Sequence, residues 1–129
     1  MNVLALQRFF DDQSQKKQNF GTIDCVSFVA GALLAGWNRD YTGDLQYHNR
    51  RSAVNRLRAF GGLRCACDWA FGDQVSIAEL GPGDVVWFDK PATIGLLMPG
   101  YVAVKLGRSI HRYQIESQMM GWKTDKGTP

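Results

Sequence analysis

The 129-residue sequence has only two histidines and three cysteines, and both scarcities narrow the chemistry open to it. The number of cysteines is odd, and Cys65 and Cys67 are separated by a single residue, which is too close for an easy mutual disulfide. The cysteines therefore argue against a disulfide scaffold. The two histidines, His48 and His111, limit the imidazole groups that a general acid–base mechanism could use.

Long hydrophobic runs are also missing. No stretch approaches the roughly 20 apolar residues that cross a bilayer. The first residues, MNVLALQRFFDDQSQKK, have neither the charge pattern nor the small-residue cleavage site of a signal peptide. We therefore expect synthesis and folding in a cytoplasm, with no membrane span. The sequence has no internal repeat, low-complexity segment or internal linker, so its length predicts a single domain.

Strong charge is absent as well, since the net charge is +3. Residues 50–60, RRSAVNRLRAF, contain four arginines, but a solvent-facing helix explains them and no nucleic-acid-binding motif accompanies them. The pair Cys65-x-Cys67 lacks the spacing of two to four residues that is usual for zinc ligands. We expect no nucleic-acid partner, no metal and no cofactor, and we interpret His48 as a surface or helix-start residue.

Hydrophobic residues make up 45% of the sequence and aromatic residues 12%, which is sufficient for a hydrophobic core. Apolar spacing predicts three helices in the first half and short strands in the second half. The predicted helices cover residues 3–12, 22–36 and 50–60, and the predicted strands cover residues 85–88, 101–107, 109–113 and 121–124. Helices followed by strands, without β-α-β alternation, predict an α+β domain with an antiparallel sheet.

Two segments leave alternatives open. Residues 93–100, TIGLLMPG, form either a buried strand or an apolar loop that contacts a neighbouring subunit. Cys25 falls in the first turn of the second predicted helix, where the helix dipole and unpaired backbone N–H groups favour a nucleophilic thiolate. The same residue could equally be a small hydrophobic member of the core. His111, between Ile110 and Arg112, is either a catalytic group or a hydrogen-bonded structural histidine.

Two motifs carry a resemblance to a known family. Residues 20–30 have the pattern F-G-x-x-D-C-x-x-F-V-A, and residues 83–88 are G-D-V-V-W-F. Together they resemble the NlpC-type papain-like cysteine peptidases, which cleave peptidoglycan stem peptides. The chain is most similar to an uncharacterised NlpC-like family encoded among phage and prophage tail genes. The other shared features are Y-x-x-x-x-S-A at 47–53, Gly61-Gly62 and Gly121-Trp122, so that the similarity covers about residues 15–123.

This resemblance implies a papain-like domain over residues 1–123, with N-terminal helices packed on a short antiparallel sheet. The polar sequence at the end of the chain predicts a flexible C-terminal segment, 124–129. The resemblance assigns Cys25 to the nucleophile position, with backbone N–H groups at the helix start forming the oxyanion hole.

In the enzymes, the strand after G-D-V-V-W-F begins with the catalytic histidine, and a polar residue on the next strand orients it. If residues 101–107 are that strand, Tyr101 occupies the general-base position and His111 the orienting position. In a second register, residues 92–95 are that strand, and Ala92 or Thr93 occupies the base position. Neither register supplies a histidine, and a tyrosine hydroxyl is a poor acceptor for a thiol proton at neutral pH.

Two functions follow from the resemblance. The first is a phage tail-associated structural or assembly protein on a degenerate, catalytically inactive peptidase fold. Its partners would be other tail proteins, and its location the host cytoplasm and then the virion. The second is a cysteine peptidase or amidase that cleaves peptidoglycan peptides, with Cys25 as nucleophile and His111 as acid–base. Loss of a positioned acid–base group costs about 10²–10⁴-fold in rate, which favours the first function.

Overall fold

Three helices and a six-stranded antiparallel sheet make up the part of the chain that the computed structural model describes, residues 1–15, 22–40, 58–59, 61–90, 92–106 and 109–125. The helices are α1 (Val3–Gln15), α2 (Thr22–Trp37) and α3 (Leu63–Phe71). The α+β class predicted from the order of helical and strand patterns is therefore confirmed.

The strands are β1 (Val75–Ser76), β2 (Val85–Asp89), β3 (Ala92–Met98), β4 (Tyr101–Leu106), β5 (Ser109–Tyr113) and β6 (Met120–Trp122). Their order across the sheet is β1-β6-β2-β3-β4-β5, so that β6 returns to pair beside β2. Successive hairpins join β2 to β5, which keeps this part of the sheet local in sequence. The tight turn between β3 and β4 includes Gly100 at φ 85°, a conformation that glycine adopts without strain.

Alternation along the strands divides the apolar residues between two faces of the sheet. The helix-facing side carries the larger core, in which Val85, Leu96 and Trp122 are fully buried against α1, α2 and α3. The opposite side carries a smaller cluster built on Val86 and Val102. These two faces decide which side chains of β4 and β5 can approach the helices.

Helices α1 and α2 pack antiparallel. The backbone N–H of Asn2 donates to the carbonyl oxygen of Gly36, whereas the ring of Phe9 lies against Gly31, five residues nearer to the beginning of α2. Near the end of α1, the buried ammonium group of Lys105 on β4 donates to the main-chain carbonyl oxygen of Gln13. The beginning of α2 therefore lies on the same side of the molecule as Lys105.

The aspartate of the G-D-V-V-W-F motif is hydrogen-bonded both to the turn before β2 and to the C-terminal segment. Asp84 accepts hydrogen bonds from the backbone N–H of Gly81 at 2.8 Å and of Thr124 at 2.9 Å. The hydroxyl of Thr124 donates to the carbonyl oxygen of Gly83 at 2.6 Å and accepts from Arg39 at 2.6 Å. Thr124, the first residue of the segment 124–129 that is predicted to be flexible, is buried, and residues 126–129 lie outside the described residues.

Most predicted elements are confirmed. Residues 92–98 form the buried strand β3, which is one of the two alternatives left open for residues 93–100. Strand β1 was not predicted. Helix α3 was not predicted. It follows the glycines at 61–62, and residues 58–59, before these glycines, are helical, in agreement with the predicted helix 50–60. The predicted helix at 50–60 falls largely outside the described residues, as does His48.

Candidate functional site

Cys25 lies in the first turns of α2, as the sequence predicts, but its side chain is only 1% exposed. It belongs to the helix-facing core, together with Phe28 and Val29 of the same helix. No disulfide joins it to Cys65 or Cys67. A catalytic nucleophile must meet its substrate, and a sulfur in this position has no such access in the described structure.

A second buried cysteine lies near Cys25. Cys67 of α3 is 3% exposed and belongs to the same core. Burial, with smaller contributions from negative charge on Cys25 and Asp68, raises the pKa of the Cys67 thiol well above its ordinary range. The thiol is therefore held protonated at neutral pH. Neighbouring sulfurs in a core of this kind behave as packing groups rather than as reactive thiolates.

Tyr101, predicted to occupy the general-base position, lies toward the far end of α2 from Cys25. The ring of Trp37, the last residue of α2, packs on Gly83, whose N–H donates to the carbonyl oxygen of Leu97 at 2.9 Å. Leu97 is next to Met98, which pairs with Tyr101. The twelve residues from Cys25 to the end of α2 span about 18 Å at 1.5 Å per residue. Tyr101 instead lies under the guanidinium of Arg112, 4.8 Å from its ring centre.

His111, predicted to orient the base or to pair directly with Cys25, faces away from α2. It lies opposite Val104 on β4, and Val104 belongs to the cluster on the outer face of the sheet. Its ring is exposed and lies 6.4 Å from that of Tyr113, two residues along the same strand and therefore on the same face. The sheet separates His111 from Cys25, so the predicted dyad is not formed.

The strand that directly follows β2 is β3, not β4. Its first residue, Ala92, pairs with Asp89, and Ile94 pairs with Trp87. This order corresponds to the second of the two sequence registers, in which the resemblance assigns Ala92 or Thr93 to the base position. Ile94 contributes to the core that contains Cys25, and Thr93 points to the opposite face, as the alternation along β3 requires.

A groove of about 400 Å³ is the site that the sequence did not predict. Residues from four separate parts of the chain line it, including Arg64 of α3, Gln74, Trp87 of β2, and Tyr113 and Glu116 near the end of β5. None of the described residues that line it is a cysteine or a histidine. No local motif joins these residues, so only the fold brings them together.

Within the part of the chain that the structure describes, no group of three or more histidine, cysteine, aspartate or glutamate side chains is arranged to hold a metal ion. No helix among those residues is long and apolar enough to span a membrane.

Over the described residues, the chain is an α+β domain in which α1, α2 and α3 lie on one face of an antiparallel sheet and a buried cysteine lies in the first turn of α2. Residues 4–124 match the family described as Domain of unknown function (DUF6950), and the chain belongs to that family. No curated protein and no solved structure shows significant similarity to it.

Proposed function

We propose that this chain is a phage tail-associated structural or assembly protein, built on a degenerate NlpC-like, papain-like fold, which acts through contacts rather than catalysis. It would be made in the host cytoplasm, bind other tail proteins and remain in the virion. The tail assignment derives from the sequence resemblance. The second part of the proposal, the absence of catalysis, is supported by the position of Cys25.

The burial of Cys25 is the observation that carries this proposal. A thiol that is 1% exposed cannot attack a peptide bond without local opening of the core. Among the described residues, none of the predicted acid–base groups lies beside it, and His48 is outside those residues. His111 is on the opposite sheet face, Tyr101 is near the other end of α2, and the strand after β2 begins with alanine. A cysteine peptidase needs both an accessible thiolate and a group that transfers its proton.

Retention of the motif residues fits a structural role. Asp84, in the motif shared with the peptidases, is engaged by backbone N–H groups of the turn before β2 and of the C-terminal segment. Trp122, from the late Gly-Trp pair, is fully buried and donates from its indole nitrogen to the Asp68 carboxylate at 2.8 Å. These side chains are accounted for by the stability of the fold, without any catalytic task.

The experiment compares Cys25→Ala with Val29→Ala in a phage or prophage that encodes this chain. Both variants shorten a buried side chain on the same helix, so their packing losses are of a similar kind. We expect tail assembly, measured as particle yield, to fail when the gene is deleted and to persist in both variants. Normal tails from the deletion strain would contradict the assembly role.

Catalysis is tested separately with purified protein and peptidoglycan sacculi. We expect no stem peptides to be released above the level given by Cys25→Ala, as measured by mass spectrometry. Release that is lost in Cys25→Ala but kept in Val29→Ala would establish a cysteine hydrolase and overturn the proposal.

A further inference from the structure

One end of β2 projects beyond its neighbour in the sheet. Strand β6 pairs with β2 only as far as Met120, which lies opposite Trp87. On that side, no described strand pairs with Phe88 or Asp89, although both pair with β3 on the other side. The backbone N–H and C=O groups of successive strand residues point alternately to the two sides, so one of these two residues offers them to an added strand. The groove of about 400 Å³ lies along this projecting edge.

The groove offers apolar contacts on both sides of β2. The Trp87 ring belongs to the helix-facing side, where it packs edge-on against Trp122 at 6.1 Å between ring centres. The Phe88 ring is on the outer side, 5.4 Å from that of Tyr113. Successive side chains of a β-strand point to opposite faces. An extended peptide added to this edge would therefore direct alternate side chains to Trp87 and to the Phe88–Tyr113 pair.

The polar lining favours a ligand that carries a positive charge. Asp89 and Glu116 supply carboxylates, and Arg64 is the basic residue of the lining. Each of these charged groups has a neighbour in the chain. Arg64 lies 5.7 Å from the centre of the Trp87 ring and donates to the side-chain oxygen of Gln74. Asp89 accepts from the indole N–H of Trp87 at 2.6 Å, and Glu116 accepts from the amide of Gln118, so that two carboxylates and one guanidinium leave a net negative charge. An excess of acidic groups beside aromatic rings suits an ammonium or guanidinium group.

A buried amide N–H donor of Gln74, in the lining of the groove, could bond to a carbonyl oxygen of the ligand. The amide nitrogen of Gln74 is buried and has no hydrogen-bond acceptor within the described part of the chain. The donation from Arg64 fixes the orientation of this amide, because the group facing a guanidinium must be the oxygen. Burying an amide N–H without an acceptor is costly, and a peptide carbonyl would remove that cost.

We propose that this groove binds an extended segment of a partner protein, which adds to the edge of β2 at residues 88–89 and inserts a lysine or arginine between Asp89 and Glu116. The inference rests on the contact role proposed above, for which it names the surface. Its test uses only purified protein and synthetic peptide, so peptide binding can fail or succeed independently of phage assembly.

The probe is the capped peptide acetyl-Val-Thr-Lys-Val-Thr-amide, compared with the same peptide carrying norleucine or glutamate in place of lysine. Binding is followed by NMR from the backbone amides of residues 87–89 and the indole N–H of Trp87. We expect the lysine peptide to shift these signals, with a dissociation constant of about 1 mM, as suits a small site. The norleucine peptide should bind more weakly and the glutamate peptide weakest.

Substitutions of the carboxylates test which of them bind the lysine of the peptide. Asp89→Asn combined with Glu116→Gln should weaken the lysine peptide about fivefold, since two partly exposed ion pairs are removed. Glu79→Gln, an exposed carboxylate outside the groove, should leave binding unchanged. Asn retains the oxygen that accepts the Trp87 indole N–H, so the local structure is preserved.

Three outcomes would overturn the inference. The first is the absence of shifts at residues 87–89 with any of the peptides. The second is equal affinity for the lysine and norleucine peptides, which would remove the basic side chain from the assignment. The third is binding of a chito-oligosaccharide at the same signals in place of the peptides, which would indicate a saccharide site.

Discussion

Replacing Asp84 with asparagine should destabilise the domain strongly, although Asp84 lies far from any candidate chemistry. The carboxylate is 5% exposed and receives backbone N–H groups on both oxygens, from Gly81 at 2.8 Å and from Thr124 at 2.9 Å. Asparagine has one oxygen and one NH₂ group. Whichever way the amide turns, it directs a donor at one of the two backbone donors.

The magnitude follows from these contacts. The substitution removes one hydrogen bond to a charged group, worth about 1.5–3 kcal/mol, and leaves a backbone N–H with no acceptor, at a further cost of about 1–3 kcal/mol. Because the two effects overlap, we expect a loss of about 3 kcal/mol in the free energy of unfolding. Domains of this size have stabilities of about 5–15 kcal/mol, so the variant should still fold.

Urea unfolding followed by circular dichroism measures this loss. Thr124→Val is the matched control, since it keeps the Thr124 backbone N–H on Asp84 and removes only the hydroxyl between Gly83 and Arg39. It should cost about 1–2 kcal/mol, less than Asp84→Asn. A loss below about 1 kcal/mol for Asp84→Asn would refute the structural role assigned to this motif residue.

Two further predictions concern the packing of β6 and of the buried thiols. Gly121→Ala should abolish folding or detach β6, because a Cβ at Gly121 would overlap the carbonyl oxygen of Val85; a native circular dichroism spectrum with unchanged stability would contradict this. Because burial raises the folded-state pKa of Cys67 above that of a free thiol, the unfolded chain releases this proton first as the pH rises. Urea titrations under reducing conditions should therefore show constant stability below about pH 8.5 and a loss of up to about 1.4 kcal/mol per pH unit above it, relative to Cys67→Ala. Parallel pH profiles for the two proteins would contradict the assignment.

The elements with clear periodicity or punctuation were predictable from sequence. The apolar spacing in α1 and α2 predicts helices, and the turn Gly81-Pro82-Gly83 indicates the start of β2. Helix α3 was missed because its sequence, LRCACDWAF, is short and follows two glycines. Its buried positions, Leu63, Ala66, Cys67 and Phe71, have helical spacing, but nine residues give this pattern little weight beside the cysteine pair.

The candidate site was predicted only in part, because the sequence does not fix the face of the sheet on which each strand residue lies. The position of Cys25 at a helix start is a local property, and the sequence contains it. The face on which His111 lies depends on strand parity, and a shift of one residue moves every side chain to the other side of the sheet. The sequence of β5, SIHRY, alternates too weakly to fix that parity. The groove required the relative positions of α3, β2 and the segment after β5, which no local pattern encodes.

The reactivity of the three cysteines toward iodoacetamide in the native protein tests the central claim most directly. Cys65 is exposed and serves as the internal standard, while Cys25 and Cys67 are buried in the core. Since a buried thiol reacts only when the structure opens, we predict that Cys25 is alkylated at least about a hundredfold more slowly than Cys65, as determined by peptide mass spectrometry. In urea the three should react at similar rates. Alkylation of Cys25 in the native protein as fast as that of Cys65, or faster, would reveal an accessible, activated nucleophile and contradict a protein that works by contact alone.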